Sequence, residues 1–431
     1  MVGWLLLAGS VRGAEFQVFS RDLDPFTHTE VQVSTPFELV PARGVIPMKV
    51  TIRNNFPQER TWEVEFRSQP PYGGGGIRFV SSFQVVTPGL SETTHSFMVP
   101  LASKADRSVD GELAISVQSG RLVAQGTHRG LGNPDWRSVA FSNGLAGLNN
   151  LEELTKAIET RVSSLRSGEP VAAKFDPAAL TPDWRGLTGF DAILISSKEW
   201  DALEPSVRQT VLGWARMGGS LYLFGKEPAG TTRIGMGAMV RHQWDGLKIP
   251  VEAVAGELEA QSTGGIAMIR DNYLSSPMQK VFGIKDFNPV LVFLILAAFA
   301  IVVGPINLQV WAKPGMRHRL FITTPIISLS ASLILLLIIL LGDGLGGSGM
   351  RVAFLLLRSQ PEERQAHLVQ EQIARTGVLA GRSFPASDLA WLTPVVMSQS
   401  RWTHFDNSYT IDAGLQLSDG IWGGDWFRSR S

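Results

Sequence analysis

Two long uncharged stretches, residues 287–312 and 320–342, constrain this chain more than any other feature of its sequence. About 20 apolar residues in a helix cross a hydrocarbon core of roughly 30 Å, and each stretch is long enough to do so. The competing reading is a buried helix pair inside a soluble domain. Residues 290–303 and 333–341, however, lack the polar face that a surface helix keeps. The expectation is therefore a transmembrane helical hairpin. Its link, 313–319, carries Lys313, Arg317 and Arg319 and no acid, whereas Asp286 and Asp343 sit at the opposite ends of the spans. Basic loops stay cytoplasmic, so the link is expected inside and everything before 286 and after 342 outside. No Asp, Glu, Lys or Arg interrupts either span. Ion and proton pathways use such residues, so the hairpin reads as an anchor, and a transporter subunit is disfavoured. Pro305 is expected to bend the first span, with Asn307 and Gln309 near its cytoplasmic end. Ser328, Ser330 and Ser332 are small enough to let the second helix pack on the first.

The length of 431 residues leaves room for about three domains, and basic and acidic residues balance at 39 each. Nothing in that balance points to nucleic acid or to an acidic tail. The chain has no cysteine, which removes disulfides, thiolate zinc sites, iron–sulfur ligation and a cysteine nucleophile. Residues 2–9 are apolar and lead into Ser10-Val-Arg-Gly-Ala14, so 1–14 reads as the end of a secretory signal, with a buried first strand as the competing reading.

Residues 15–132 read as an all-β module. Met48, Val50 and Ile52 alternate with Lys49, Thr51 and Arg53, and Trp62, Val64 and Phe66 alternate with charged neighbours. Period two with one apolar face marks a half-buried strand. Asn54-Asn55-Phe56-Pro57 supplies the turn between the two. Leu113, Ile115 and Val117 repeat the pattern, and Gly73 to Gly76, beside Tyr72, reads as an exposed loop. The expected architecture is a sandwich of immunoglobulin-like type, serving as a binding module or as a spacer.

In 136–285 the period changes. Val139 to Phe141 reads as a strand; Leu151, Leu154, Ile158, Val162 and Leu165 then recur at helical spacing. Strands follow at 171–175, 190–195 and 220–224, with a helix opened by Pro205 and ended by Gly218-Gly219. This order predicts a mostly parallel, doubly wound sheet of Rossmann-like kind.

Three runs here, Gly189-Phe-Asp-Ala-Ile-Leu-Ile-Ser-Ser197, Leu203-Glu-Pro-Ser-Val-Arg-Gln209 and Trp214-Ala-Arg-Met-Gly-Gly-Ser-Leu-Tyr-Leu-Phe224, resemble domains related to class I glutamine amidotransferases. Val303-Gly-Pro-Ile-Asn307, Thr323-Thr-Pro325 and Gly342-Asp-Gly-Leu-Gly-Gly347 resemble a group of uncharacterised bacterial membrane proteins that carry such a domain outside the membrane. The resemblance covers about 136–347. It implies a place in the bacterial cytoplasmic membrane with the large domains outside, and it brings no assigned activity.

An amidotransferase needs a cysteine nucleophile oriented by histidine, so that route is closed to this chain. Ser196 and Ser197 end the corresponding strand without a Gly-x-Ser-x-Gly elbow, and His242 is the one histidine of the module. Serines there read as helix caps. Gly344-Leu-Gly-Gly-Ser-Gly349 matches a dinucleotide pattern in letters, yet a membrane helix precedes it and a strand follows, the reverse of what a phosphate cradle needs. Histidines at 28, 95, 128, 242, 318, 367 and 404 form no metal-ligand spacing. Gly235-Met-Gly237 reads as part of a hairpin. No catalytic, cofactor or metal residue is therefore assigned.

Residues 350–431 read as a second outer β-rich module, with strands at 350–357 and 409–417 and an ambiguous segment at 362–379. The end at 424–431 stops without a polar tail and reads as a cut through a longer protein. Two functions follow. The first is a non-enzymatic membrane-anchored envelope protein that presents outer binding domains to a partner. The second is an extracytoplasmic hydrolase with a Ser/Asp/Glu site at the carboxyl ends of the parallel strands.

Overall fold

The protein, seen in a computed structural model, is described at residues 15–41, 43–69, 76–101, 112–129, 138–147, 153–154, 156–157, 160, 171–260, 289–311, 315, 317–343, 348–359, 364–375, 410–418 and 421–423. The chain is β-rich, with several sheets and two apolar helices. It separates into two compact units.

The first unit begins with two sheets. One has the order β1 (Phe16–Asp24), β2 (Thr29–Thr35), β3 (Gly44–Asn54), β6 (Ser91–Leu101), β18 (Gln416–Ser418), β19 (Ile421–Gly423). The other runs β17 (Thr410–Gly414), β5 (Gly76–Thr87), β4 (Arg60–Gln69), β7 (Glu112–Ser119), β8 (Leu122–Arg129). The alternation predicted for β3 and β4 holds: Ile46, Met48, Val50, Ile52, Trp62, Val64 and Phe66 are all buried in one core. Each such side chain stabilises the fold by about 1.5–3 kcal/mol. Register is fixed here because a slip by one residue would turn every one of these groups to water.

A mixed sheet follows, in the order β10 (Val171–Phe175), β9 (Ser138–Ser142), β11 (Ala192–Ser196), β12 (Ser220–Gly225), β14 (Gly237–Gln243), β13 (Gly230–Ile234). All neighbours are parallel except β13, which turns back on β14 as the glycines at 235 and 237 predict. Helices α1 (Asn143–Ala146), α2 (Ser197–Ala202), α3 (Pro205–Arg216) and α4 (Val251–Ala260) accompany it. Pro205 opens α3 at its first turn, where a missing N–H costs nothing. Alternate strand residues feed two cores. Ile193, Ile195, Leu221 and Leu223 meet Val207, Val211 and Trp214 of α3 in the core that also holds β3 and β4. Leu194, Tyr222 and Phe224 meet Leu145 of α1 and Val254 and Leu258 of α4 on the other face. Of the helix predicted through Leu151 and Leu165, only five positions are described, and Leu154 and Ala157 are buried in this second core.

The all-β and mixed-sheet regions are not separate beads. Phe37 packs on Phe190 with ring centroids 4.5 Å apart, Arg43 pairs with Asp191 at 2.7 Å, and the Val45 N–H donates to Thr188 Oγ1 at 3.0 Å. Gly44, at φ 85, lies so close to Gly189 that a side-chain carbon there would sit 2.4 Å from its backbone nitrogen.

The second unit holds α5 (Pro289–Ile301), a π-helical continuation Val302–Trp311 containing Pro305, and α6 (Leu320–Asp343). Phe293–Trp311 and Arg317–Leu337 are long and apolar enough to cross a membrane, each with mean hydropathy 2.2. Only 6% and 0% of these stretches is buried in protein, which runs against the buried-helix-pair reading. Asn307 is fully buried and its Nδ2 donates to Thr324 Oγ1 at 3.1 Å. Ser328 is half-buried, but Ser330 and Ser332 are exposed and do not pack.

The C-terminal segment differs from expectation. The ambiguous stretch is a strand, β16 (Arg364–Arg375), forming a two-stranded sheet with β15 (Ser348–Ser359). Of the strand predicted at 409–417, the described residues 410–417 do not form one strand of a further module: the chain breaks at Leu415, so that β17 joins β5 and β18 joins β6 of the first two sheets. Leu415, Leu417 and Trp422 are buried, Leu415 and Leu417 almost completely. Non-local pairing of this kind leaves no mark in local periodicity. The predicted signal segment 1–14, the loop at Tyr72 and the link residues 313 and 314 lie outside the described residues.

Candidate functional site

Ligands of open α/β sheets bind at the carboxyl ends of the parallel strands, which here brings together Ser142, Ser196 and Ser197. Ser196 caps α2. Its Oγ donates to Glu199 Oε2 at 2.6 Å and accepts from the Glu199 N–H at 3.2 Å, while Glu199 also takes the Ser196 N–H at 3.3 Å. This is a capping box, a reciprocal use of two otherwise orphaned donors. Glu199 does more than cap. Its Oε2 accepts from Ser142 Oγ at 2.6 Å and its Oε1 from the Gly144 N–H at 2.8 Å, so one carboxylate ties the end of β9 and the start of α1 to the end of β11. A methyl group on Gly144 would sit 2.6 Å from that carboxylate. The sequence announces the cap through its Ser-x-x-Glu spacing; the reach to Ser142 and Gly144, 57 and 55 residues away, has no local signal.

His242 is not part of this cluster. Ser196 is in register with Phe224, and Phe224 with His242, so the aromatic strand β12 lies between serine and histidine. The imidazole stacks on Phe224 at 5.3 Å and its Nε2 meets Glu257 of α4 at 3.1 Å. Ser196 is 7% exposed, with both hydroxyl functions used by Glu199. Among the described residues the arrangement holds an acid against a serine but supplies no imidazole to shuttle its proton. Ser197 lies against Gly225, where a side-chain carbon would meet its Oγ. Among the described residues no group of three His, Asp or Glu side chains is placed to hold a metal ion.

A second candidate surface lies at the turns of the first two sheets. Phe26, on the β1–β2 turn, is 92% exposed, and Leu90, on the β5–β6 turn, is 72% exposed. These turns are held rigidly. Asp24 accepts from the Phe26 N–H and Thr27 Oγ1, and the Thr27 hydroxyl bond, above all, lowers its pKa from the ordinary value. Asn55 of the β3–β4 turn donates to the His28 carbonyl at 2.7 Å, and the Leu90 N–H donates to the Phe56 carbonyl at 2.9 Å. His28 and Leu90 both stand at positive φ, 56 and 52, a conformation that non-glycine residues hold only when their surroundings enforce it. Neither turn residue was singled out by the sequence, since one exposed apolar residue in a turn looks like any other.

No protein-family model matches the chain, and no curated protein matches it. Solved structures overlap parts of it. They include a cycloisomaltooligosaccharide glucanotransferase from Paenibacillus sp. (10% identity, 44% of this chain and 27% of that one, TM-score 0.21). They also include a β-glucuronidase 2 from Bacteroides uniformis (10% identity, 53% and 25%, TM-score 0.19) and the sporulation control protein Spo0M from Bacillus subtilis (12% identity, 30% and 55%, TM-score 0.17). The chain spans about a quarter of the two enzymes and about half of Spo0M. At such TM-scores the overlap establishes no shared fold, and none of these activities carries over.

Proposed function

We propose that this chain is a non-enzymatic, membrane-anchored envelope protein. In this reading an immunoglobulin-like sandwich and a catalytically silent, doubly wound domain of amidotransferase-like type engage a protein partner outside the cytoplasmic membrane. The observation that carries it is the commitment of Glu199: the carboxylate a hydrolase would spend on Ser196 is bonded to Ser142, Gly144 and the cap of α2. The rigid turns bearing Phe26 and Leu90 support a binding role in its place. Topology fits as well. β5 and β6 precede the apolar helices and β17 and β18 follow them, yet all four belong to the same two sheets. Two crossings return a chain to the side it left, so an even-numbered hairpin is the arrangement compatible with one folded unit. The basic link then faces the cytoplasm and the sheets face outward.

The test is photo-crosslinking in cells with the full chain. A photoreactive residue at position 26 or 90 is expected to capture one and the same protein, and at Leu247, 69% exposed elsewhere, to capture none. Labelling of Ser196 by a fluorophosphonate, with ester or amide hydrolysis lost in Ser196→Ala, would overturn this reading in favour of the hydrolase.

A further inference from the structure

The ribbon of β15 and β16 is unlike the other sheets of the protein. Val352, Phe354 and Leu355 of β15 are 37%, 61% and 59% exposed, and Leu368 and Val369 of β16 are 60% and 40% exposed. Alternate strand residues point to opposite faces, so Val352 and Phe354 occupy one face and Leu355 the other. An isolated two-stranded ribbon is marginal at best in water. This one is apolar on both faces.

Its place in the chain says what surrounds it. Only residues 344–347 separate the end of α6 at Asp343 from Ser348, a reach of at most roughly 18 Å at about 3.6 Å per residue. The polar layer of a bilayer is roughly 5–8 Å deep on each side of the core, so for a membrane-spanning α6 that layer lies within reach of Ser348. Its charge matches such a surface. The strands carry Arg351, Arg358, Arg364 and Arg375 against Glu371. Arginines near an anionic bilayer are drawn to its head groups. The open edges of a two-stranded ribbon cannot enter hydrocarbon, where unpaired N–H and C=O groups find no hydrogen-bond partner. Side chains such as Phe354 and Leu355, on the other hand, gain from leaving water.

We propose that the β15–β16 ribbon is a second membrane contact, immersed in the interfacial layer of an anionic bilayer so that Phe354 on one face and Leu355 on the other both leave water. This rests on the reading of α5 and α6 as bilayer spans.

The absence of cysteine makes the test direct. Phe354→Cys, Leu355→Cys and Val369→Cys, each the single cysteine of the full chain, are labelled with an environment-sensitive fluorophore. The labelled chains are reconstituted into vesicles of phosphatidylethanolamine and phosphatidylglycerol. Leu329→Cys, on α6 and 74% exposed, is the reference for the span. The expected result is that shallow nitroxide lipids quench labels at 354 and 355 several-fold more than aqueous iodide does, and that exchanging phosphatidylglycerol for phosphatidylcholine reduces that ratio. Lipid quenching at 329 with iodide quenching at 354, 355 and 369 would refute the ribbon contact while leaving the spans intact. Iodide quenching at 329 as well would remove the membrane reading itself. Labels shielded from both quenchers would show that protein, from this chain or a second copy, covers the ribbon, and would equally overturn the proposal.

Discussion

Replacing Leu415 by alanine should loosen a domain that ends some three hundred residues earlier in the sequence. Leu415 is 1% exposed. Its N–H donates to the Val80 carbonyl at 3.0 Å and its carbonyl accepts from Ser81 Oγ at 2.6 Å, so the backbone stays pinned and the substitution removes side-chain packing alone. A buried Leu→Ala change costs about 2–5 kcal/mol in lost transfer energy and cavity. Taking about 3 kcal/mol, the open fraction of the sandwich rises roughly 150-fold, since each 1.4 kcal/mol is a factor of ten. Native-state proteolysis of the full chain in detergent micelles reads this as faster cleavage within β1 to β8, at sites identified by mass spectrometry. Leu247→Ala, at an exposed position, should stay within about 0.5 kcal/mol of the parent. Should the faster cuts fall only in 410–423, with β1 to β8 cleaved at the parent rate, the C-terminal strands would not be part of the sandwich core.

Asp191→Ala should cost about 1–3 kcal/mol, below the 3–5 kcal/mol typical of a broken buried pair because Arg43 and Asp191 retain side-chain exposures of 18% and 12%. It also strips the Ser138 N–H of its acceptor, and thermal unfolding of the full chain in detergent measures the loss. Burial holds the pKa of His128 below its ordinary 6.5. The unfolded chain therefore binds a proton that the folded one refuses, so stability is intact above about pH 6.5 and falls as pH drops below it. His128→Gln should flatten that slope in denaturation curves taken from neutral to mildly acidic pH. In the unit of the two apolar helices, Thr324→Val removes the bond from Asn307 and should weaken helix pairing by about 0.6 kcal/mol, detectable as a lower denaturant midpoint in mixed micelles.

How much of this was legible depended on whether the signal was local. The faces of β3 and β4 could be read from alternation because one side is buried, and the start of α3 from Pro205, because both rules act within a few residues. The Ser196 cap followed from serine chemistry at a strand end. What the residues could not say is which remote group each meets: Glu199 with Ser142, His242 with Glu257, Leu415 with Ser81. Those pairings are set by topology, and no spacing rule encodes them. A hydrolase site at Ser196 needs both an acid and a histidine beside it. The structure supplies the acid and diverts the histidine two strands away.

The bond between Ser81 and Leu415 spans 334 residues, and that separation sets an order of events during synthesis. While the two apolar helices are being synthesised, β5 and β6 each have one edge waiting for a partner that has not been made. Long-range pairing closes slowly, because loop-closure entropy is lost before any contact is gained. The first two sheets therefore reach their final form only after both apolar helices have been synthesised, so completion of their surface reports that the chain has been made past residue 418.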